Sequence, residues 1–239
     1  MTAANGHVGS APRRSALREF GSAVLTITVK ELRSRMRGRR AFVVLTVYLA
    51  LLALITYGVY IMIAPQARSA GMGGMGQANA SALIGQSIFS VLSIFQLILV
   101  AFIAPAFTAG QISLEREKQT LDLLVSTPMR PGAIVIGKLA AALAFVVLMI
   151  VAAVPITAIV LMYGGASIDD IVRQQVVLLA TALVLGSIGL FFSALLKRTQ
   201  AATVLTYITM LALTLGTAML FTFWTIVINQ NQAGFAPNR

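Results

Sequence analysis

Five long apolar runs, separated by shorter polar stretches, divide the chain. A helix rises about 1.5 Å per residue, so about 20 apolar residues cross the hydrocarbon core of a bilayer. Each run reaches that length, and the pattern therefore predicts an all-α fold, a polytopic membrane helical bundle with five transmembrane helices. The predicted spans cover residues 41–63, 82–109, 133–163, 171–195 and 201–228, within a transmembrane domain of residues 41–239. Pro155 lies inside the third span and predicts a kink there.

The residues before the first span divide into two segments. Residues 1–14 are small and polar, which predicts a disordered N-terminal tail. Over residues 15–40, six polar or charged side chains recur at steps of three and four, and Lys30, Arg33 and Arg37 belong to that stripe. Apolar residues cover the opposite side, a pattern typical of a basic amphipathic helix that lies in the headgroup plane. The alternative is a basic juxtamembrane stop signal with accidental periodicity, but the length of the stripe favours the interfacial helix.

The connection from the first span to the second covers residues 64–80 and contains the sequence GMGGMG. Glycine-rich segments of this kind are typically flexible linkers. The methionines could also suggest a site for a soft metal ion, but a glycine-rich linker is the better interpretation. The composition therefore predicts a flexible connection.

A longer polar interruption, Gln111–Lys138, separates the second span from the third. Leu114, Leu121 and Leu124 recur in it at helical spacing, and charged residues lie between them. The pattern predicts a short amphipathic helix at the membrane surface, within a coupling segment of residues 111–132 that is suited to passing force to a soluble partner. The alternative is a solvated loop, but ordinary loops of that kind are short and rich in glycine or serine. The helix is the favoured interpretation.

The composition of the chain indicates its broad class. Hydrophobic residues make up 58% of the chain and charged residues only 10%, and the mean hydropathy is +0.89. About a quarter of the residues of a soluble domain are charged, so the excess apolar surface must face lipid. The chain is therefore expected to be an integral membrane protein. It has no cysteine, which excludes disulfides, thiolate chemistry and cysteine metal sites.

The basic residues predict the orientation in the membrane. Nine of the 18 lysines and arginines precede the first span, four lie between the second and third spans, and two lie between the fourth and fifth. The other side holds Arg68, Arg173 and Arg239. The positive-inside rule therefore predicts a cytoplasmic N-terminus and a cytoplasmic Gln111–Lys138 segment. On a soluble domain the net charge of +11 would suggest nucleic acid, but basic residues beside spans suit anionic membrane lipids, so no nucleic-acid partner is expected.

The sequence argues against chemistry carried out by this chain itself. The central parts of the five spans contain no Asp, Glu, Lys, Arg or His, residues that are typical of an ion-coupled carrier; Lys138 and Arg173 lie near span ends. Gly132–Lys138 fits the first seven positions of a phosphate-binding loop, but Leu139 stands where a serine or threonine must hold magnesium. No nucleophile–base pair or metal cluster is visible. We therefore expect no catalytic residue, metal or cofactor in this chain, and an energy source in another polypeptide.

Two stripes of polar side chains run along predicted spans. They are Gln86, Ser90 and Ser93 on the second span, and Thr203, Thr206, Met210, Thr214 and Thr217 on the fifth. Such stripes line a pathway or a dimer interface, or they form hydrogen bonds between helices, as serine and threonine often do in membranes. For the threonine stripe, a pathway or interface lining and hydrogen bonding between helices are equally favoured. For the second span, helix packing is favoured.

Three short motifs resemble a known family. Residues 115–124 read EREKQTLDLL, residues 126–128 read STP, and residues 136–139 read IGKL. Together they resemble the signature of type-2 ATP-binding-cassette (ABC) exporter permeases, which reads ERE-x-G-T-L-E-x-L-L, then T-P, then G-K-L. The likeness extends loosely from about Ser15 to the fifth span. Gln119 departs from it, since the family usually has glycine there, and the turn is expected to be stiffer.

The resemblance implies a role for each part of the chain. Residues 15–40, with Lys30, Arg33 and Arg37, would form an elbow helix at the cytoplasmic surface. Residues 113–128 would contain the coupling helix, which docks on separate ATPase subunits that bind ATP and Mg. Two permease subunits, identical or different, would pair through their first and fifth spans around a substrate pathway in the inner (plasma) membrane. The residues implied in coupling are Leu114, Glu115, Arg116, Glu117, Lys118, Thr120, Leu121, Leu124, Thr127 and Pro128.

These observations lead to three functional hypotheses. The leading one is the membrane subunit of an ATP-driven exporter; the family normally has six spans, so the sixth is expected to be missing from this chain. The alternative is a non-transporting membrane anchor or scaffold that recruits a cytoplasmic partner, which explains the basic N-terminus and the charged segment equally well. An ion-coupled carrier is disfavoured by the charge-free spans. Drugs, lipids and lipid-linked glycans all suit apolar spans with hydroxyl stripes, and the sequence does not rank them.

Overall fold

A computed structural model describes residues 39–72, 77–119 and 131–233 of the chain. These residues form helices and short turns, and no strand occurs in the described ranges. The helices found there are α1 Arg39–Met72, α2 Gln77–Thr108, α3 Ser113–Glu117, α4 Pro131–Ala152, α5 Val154–Leu161, α6 Ile168–Leu195 and α7 Thr199–Ala233. The predicted all-α helical bundle is confirmed.

Several predictions concern residues outside the described ranges. They include the disordered tail of residues 1–14 and all but the last two residues of the elbow helix of residues 15–40. The residues singled out there, and in the later part of the coupling segment, are Lys30, Arg33, Arg37, Thr120, Leu121, Leu124, Thr127 and Pro128. Their roles stay predictions.

Five stretches of the described chain are long and apolar enough to cross a membrane. They are Phe42–Ala67, Asn79–Glu117, Ile134–Leu161, Ile168–Leu195 and Thr199–Ile228. Their number agrees with the five apolar runs of the sequence. Helices satisfy every backbone polar group internally, which lipid requires because it offers no hydrogen-bond partners, and this is why long apolar runs can be recognised so directly.

The prediction of a flexible connection over residues 64–80 is wrong for most of that segment. α1 continues through Met72, and α2 already begins at Gln77. Ala64 and Ala67 are buried in the core, and alanine is the strongest helix former. Packing of these small residues therefore extends α1 beyond the predicted first span, despite Pro65 inside the helix.

The kink predicted in the third span is confirmed. α4 ends at Ala152 and α5 begins at Val154, with Pro155 in its first turn. Proline has no N–H to donate to the preceding turn, and its ring clashes with the carbonyl group four residues earlier. The third span is therefore two helices, joined at Ala153.

α2 is the central helix of the bundle and packs on α1, α4 and α6. One buried cluster joins α1, α2 and α4 and includes Leu52, Ile88 and Met149. A second cluster joins α2, α4 and α6 and includes Val146 and Leu178. Because lipid is as apolar as these side chains, close packing rather than the hydrophobic effect holds such helices together.

The bundle has one end that carries α3, here named the α3 end. α2 and α6 finish at this end, and α4 and α7 begin there. At the opposite end, the turn after α5 lies directly on α2: a Cβ on Gly165 would lie 2.2 Å from the carbonyl oxygen of Ala82, so only glycine fits. Ser167 then starts α6 with a capping box that includes Asp170.

α7 is buried only in its first part. Ala202, Thr206 and Met210 are buried, whereas the side chains from Leu211 to Ile228 are half-buried or exposed. A groove of about 680 Å³ lies between this second part of α7 and the helices α2 and α6. Its lining is mainly apolar.

Candidate functional site

α3 follows a sharp turn at the end of α2. The Ala109 N–H still donates to the carbonyl oxygen of Pro105 at 2.8 Å, and the Leu114 N–H donates to that of Gly110 at 3.1 Å. The helix has the sequence SLERE, so the charged residues at the start of the family-like motif lie at the α3 end of the bundle. A helix is observed in this segment over residues 113–117. Leu121 and Leu124, on which the prediction of an amphipathic helix partly rested, lie outside the described residues.

The first attachment of α3 is to α6, through Ser193. The Ser193 Oγ accepts hydrogen bonds from the N–H groups of Ile112 at 2.9 Å and Ser113 at 3.1 Å. Both serines are fully buried. The first N–H groups of a helix have no partner within it, so the hydroxyl of Ser193 caps α3 from a position 80 residues further along the chain.

The second attachment is to α4, through an ion pair. The Lys138 Nζ donates a hydrogen bond to the Glu115 Oε1, and the two side chains are 5% and 26% exposed. Desolvating two charges is unfavourable, and only good geometry between them offsets that cost. Removing the Glu115 carboxylate would take this partner from the Lys138 ammonium, which is almost fully buried, so the pair fixes α3 against the first turns of α4.

The third attachment is to α7. The Thr199 N–H, at the first residue of α7, donates to the Glu117 Oε1 at 2.7 Å. A carboxylate at this position satisfies an N–H group that has no partner within the helix, and it lies at the positive end of the helix dipole. The first residue of α7 is therefore hydrogen-bonded to α3.

Glycines on α6 bring that helix close enough for these contacts. A Cβ on Gly189 would lie 2.2 Å from the Thr108 Oγ1, and one on Gly186 would lie 2.9 Å from the Leu143 Cδ2. Small residues allow membrane helices to approach closely. The close approach of α6 to the end of α2 is what places Ser193 beside α3.

The attachments divide the predicted coupling residues into two groups. Glu115 and Glu117 hold α3 on α4 and α7. Leu114 and Lys118 are exposed, and Arg116 is half-buried. An apolar side chain that is 43% exposed, as Leu114 is, together with an exposed lysine, leaves a surface available to a partner at the α3 end.

Gln119 adopts a backbone conformation that favours glycine. Its φ is 54°, directly after the last residues of α3, and its N–H donates to the carbonyl oxygen of Arg116 at 3.1 Å. Helices commonly end with a residue in the left-handed region, and glycine occupies it without steric cost. The departure from the family-like motif therefore falls on a position where the backbone itself prefers glycine.

Replacing Gln119 by glycine is expected to stabilise the α3 end by about 1 kcal/mol, because a side chain in the left-handed region is unfavourable by about that amount. The thermal unfolding midpoint of the chain in nanodiscs checks this. Gln66→Gly is the matched control: it also replaces an exposed glutamine, but within α1, where glycine costs about 1 kcal/mol. Equal losses of stability in the two variants would contradict the claim that position 119 prefers glycine.

All but one of the hydroxyl groups of the two predicted stripes bond within their own helices; the exception is the Ser93 Oγ, which has no hydrogen-bond partner among the described residues. The Ser90 Oγ donates to the carbonyl oxygen of Gln86 at 2.8 Å. Four threonine hydroxyls of α7 do the same toward the carbonyl four residues earlier, at 2.6–2.9 Å; they belong to Thr203, Thr206, Thr214 and Thr217. Within the described chain, these bonds satisfy the hydroxyls without joining α7 to a neighbouring helix.

The two stripes also change environment along their length. Thr206 and Met210 are buried, whereas Thr214 and Thr217 line the groove beside α6. On α2, Gln86 and Ser90 are exposed and Ser93 is half-buried. The stripe on α7 is therefore divided between a buried part and the groove and does not form one continuous surface.

A set of polar residues inside the bundle was not predicted from the sequence. Tyr48 on α1, Gln96 on α2 and Gln174 on α6 meet there, and the Gln174 Nε2 donates to the Gln96 Oε1 at 2.9 Å. One signal in the sequence points to them: Gln96 is an amide with apolar residues on both sides, well inside the second span. A carboxamide inside a span is unfavourable without a hydrogen-bond partner, so its presence there indicates that a partner lies nearby.

The described ranges hold no group of three or more His, Cys, Asp or Glu residues placed to bind a metal. The phosphate-loop-like stretch Gly132–Lys138 lies inside α4, which begins at Pro131, and is not a loop. Its lysine is used in the ion pair with Glu115. This geometry is unlike a loop that cradles phosphate with its backbone N–H groups.

One protein-family model matches the chain. It describes the ABC-2 family transporter proteins and covers residues 25–236, which is most of the sequence. A search of the curated proteins finds no match. The five helices able to cross a membrane agree with this assignment, since the family supplies multi-pass membrane components. The chain therefore belongs to the ABC-2 family of transporter proteins and is the membrane permease component of an ABC transporter.

Proposed function

We propose that this chain is the membrane subunit of an ATP-driven exporter, moved by separate ATPase subunits that dock on the segment of residues 113–128. The ATPase subunits bind ATP and Mg, and this chain hydrolyses no ATP. The observation that carries the proposal is the triple attachment of α3 to α6, α4 and α7. A helix attached in this way passes a displacement to three spans together.

The three attachments of α3 lie at or near the ends of long helices. Each one joins α3 to the end of a long helix, and a helix transmits a push along its axis because its backbone hydrogen bonds are continuous. Ser193 is near the end of α6, Thr199 begins α7, and Lys138 lies in the second turn of α4. A soluble subunit that tilts α3 therefore acts on three spans at their ends.

The orientation follows from the charges around α3. The α3 end carries Arg116, Lys118, Lys138, Lys197 and Arg198, which under the positive-inside rule puts it in the cytoplasm. Two spans, α1 and α2, separate the N-terminus from the α3 end, so the N-terminus is on the same side of the membrane. The membrane in this proposal is the inner (plasma) membrane. ATP is available to the docked ATPase on that side.

The exposure of the spans supports a pair of permease subunits. α1 and the second part of α7 are the least buried of the five spans. The resemblance to exporter permeases assigns the contact between subunits to the first and fifth spans, and those are α1 and α7. We propose a dimer through these helices, with lipid covering the rest, and a substrate pathway between the subunits.

The proposal is tested by hydrolysis and by movement of α7. The chain purified alone is expected to hydrolyse no ATP, and its complex with the ATPase subunit is expected to do so. Because the chain has no cysteine, Leu213→Cys gives a single attachment point for a nitroxide label at the groove. The nitroxide spectrum is expected to change when ATP is added to the complex.

A scaffold or anchor is the alternative function, and the same label separates it from an exporter. A scaffold holds the ATPase subunit while α7 stays still, so the nitroxide spectrum would not change when ATP is hydrolysed. That result, or ATP hydrolysis by the chain alone, would overturn the proposal.

A further inference from the structure

Tyr207 joins the first part of α7 to α2. Its hydroxyl donates to the carbonyl oxygen of Phe102 at 2.9 Å, and the two rings pack with their centroids 6.1 Å apart and their planes at 30°. The threonine hydroxyls of α7 bond instead to carbonyl oxygens of α7 itself, as at Thr203 and Thr214. Tyr207 therefore makes a side-chain hydrogen bond that crosses from α7 to the central helix of the bundle.

This bond lies beside the groove between α7, α2 and α6. Ala101, the neighbour of Phe102 on α2, lines the groove, and on α7 the lining begins at Leu213, less than about two turns after Tyr207. Met210 is the last buried residue of α7 before the groove. The bond is thus placed where the packed part of α7 gives way to the part that lies beside the groove.

Two hydrogen bonds join α7 to other helices at separate points. The first is the bond from the Thr199 N–H to the Glu117 Oε1, and the second is the bond of Tyr207. The two points are about 12 Å apart along the helix axis. α7 is one continuous helix from Thr199 to Ala233 without a proline, so it behaves as a stiff rod. Two attachments fix the direction of a rod, and the direction of α7 sets the width of the groove.

Close packing does not set the width of this groove. Membrane helices associate through close packing, and the gap of about 680 Å³ beside α7 lacks those contacts. Its lining is mainly apolar, and the hydroxyls of Thr181 and Thr217 in it bond within their own helices at 2.8 Å and 2.7 Å. No polar group of these two residues requires a gap. A restraint elsewhere on α7 therefore keeps its second part away from α2 and α6.

We propose that Tyr207 is a positioning residue that sets the tilt of α7 and holds the groove open. Lipid hydrocarbon offers the phenol hydroxyl no other partner, so the bond to the Phe102 carbonyl persists in the membrane. Without this bond, α7 keeps its start on α3 but is free to tilt about it, and its second part moves toward α2 and α6. The proposal concerns this chain alone and does not depend on the ATPase subunit.

Double electron–electron resonance on the full chain in lipid nanodiscs tests this. Because the chain has no cysteine, one nitroxide is placed at Leu183→Cys on α6 and a second at either Val204→Cys or Met219→Cys on α7. The three side chains are 53%, 58% and 75% exposed, and none of them lines the groove. An excess of unlabelled chain limits the measured distances to those within one chain.

Tyr207→Phe is the test variant, because it removes the hydroxyl and keeps the ring. A tilt about Thr199 moves each label in proportion to its distance from that residue, about 7.5 Å for Val204 and about 30 Å for Met219. A tilt of about 5° therefore moves Met219 by about 3 Å and Val204 by less than about 1 Å. In this variant the distance from Leu183 to Met219 is expected to shorten by about 3 Å, roughly four times the change at Val204.

Tyr57→Phe is the matched control, since it removes the hydroxyl of a tyrosine that is 62% exposed on α1. Both distances are expected to stay unchanged in it. An unchanged or longer distance from Leu183 to Met219 in Tyr207→Phe would overturn the proposal. Equal changes at Val204 and Met219 would also overturn it, because they would indicate a shift of the whole helix and not a tilt. The same shortening in Tyr57→Phe would do so as well.

Discussion

Replacing Lys138 by methionine is expected to disconnect α3 from α4. Methionine keeps much of the volume of the lysine stem, but the Glu115 carboxylate, 26% exposed, loses the ion pair with Lys138. Breaking a buried ion pair by removing one charge costs about 3–5 kcal/mol, and the partial exposure of Glu115 puts this case at the lower end. The thermal unfolding midpoint of the complex is therefore expected to fall. ATP hydrolysis is expected to continue. A nitroxide at Val151→Cys on α4, a side chain that is 58% exposed, is expected to respond to ATP in the wild-type complex and to lose that response in Lys138→Met.

Two comparisons isolate the ion pair as the cause. Lys197→Met removes an exposed lysine from the same end of the bundle and is expected to change neither reading. The double variant Glu115→Gln with Lys138→Met removes both charges, so it is expected to recover stability without recovering the response to ATP. A Lys138→Met complex that behaves like the Lys197→Met complex would contradict the role of the pair.

Replacing Ser193 by alanine is expected to remove the cap of α3. The Ser193 Oγ accepts from two N–H groups, and the site is fully buried, so water does not readily replace it. Each N–H group left without a partner is unfavourable by about 1–3 kcal/mol, and two are left here. Hydrogen exchange at the amides of Ile112 and Ser113 is therefore expected to accelerate by more than about tenfold, since 1.4 kcal/mol is a factor of ten.

Ser187→Ala is the matched control for Ser193→Ala. Ser187 lies on the same helix, but it is exposed and its hydroxyl donates to the carbonyl oxygen of Leu183 at 2.7 Å. It contributes nothing to α3, so exchange at Ile112 and Ser113 is expected to stay unchanged. Equal exchange rates in the two variants would show that another group caps α3.

The fold could be predicted because lipid leaves the backbone few choices. Long apolar runs must be helices, since lipid offers no partners for the backbone N–H and C=O groups. The limits of the helices were less predictable. Residues 64–72 were assigned to a linker from nearby glycines and Pro65, whereas buried Ala64 and Ala67 extend α1 through them. Local composition gives no information about such packing.

The site was predicted only in part, because its attachments join residues that are distant in the sequence. The motif located α3, but its three partners lie 23 to 82 residues away. Lys138 was interpreted as a basic residue that sets orientation and as part of two short motifs, but not as a partner of Glu115. No pattern in the sequence marked Ser193. Gln119 is the opposite case: its departure from glycine in the motif coincides with a left-handed φ of 54°.

A photocrosslinker placed at Leu114 tests the account most directly. Leu114 is 43% exposed on α3 and takes part in none of the three side-chain attachments, so replacing it leaves them intact. Leu114→p-benzoylphenylalanine is expected to crosslink to the ATP-hydrolysing subunit of the complex in membranes. The same replacement at Met162, which is 86% exposed at the opposite end of the bundle, is expected to give no such crosslink. Crosslinks to the ATPase from Met162, or none from Leu114 in an ATP-hydrolysing complex, would contradict the claim that α3 is where the ATPase docks.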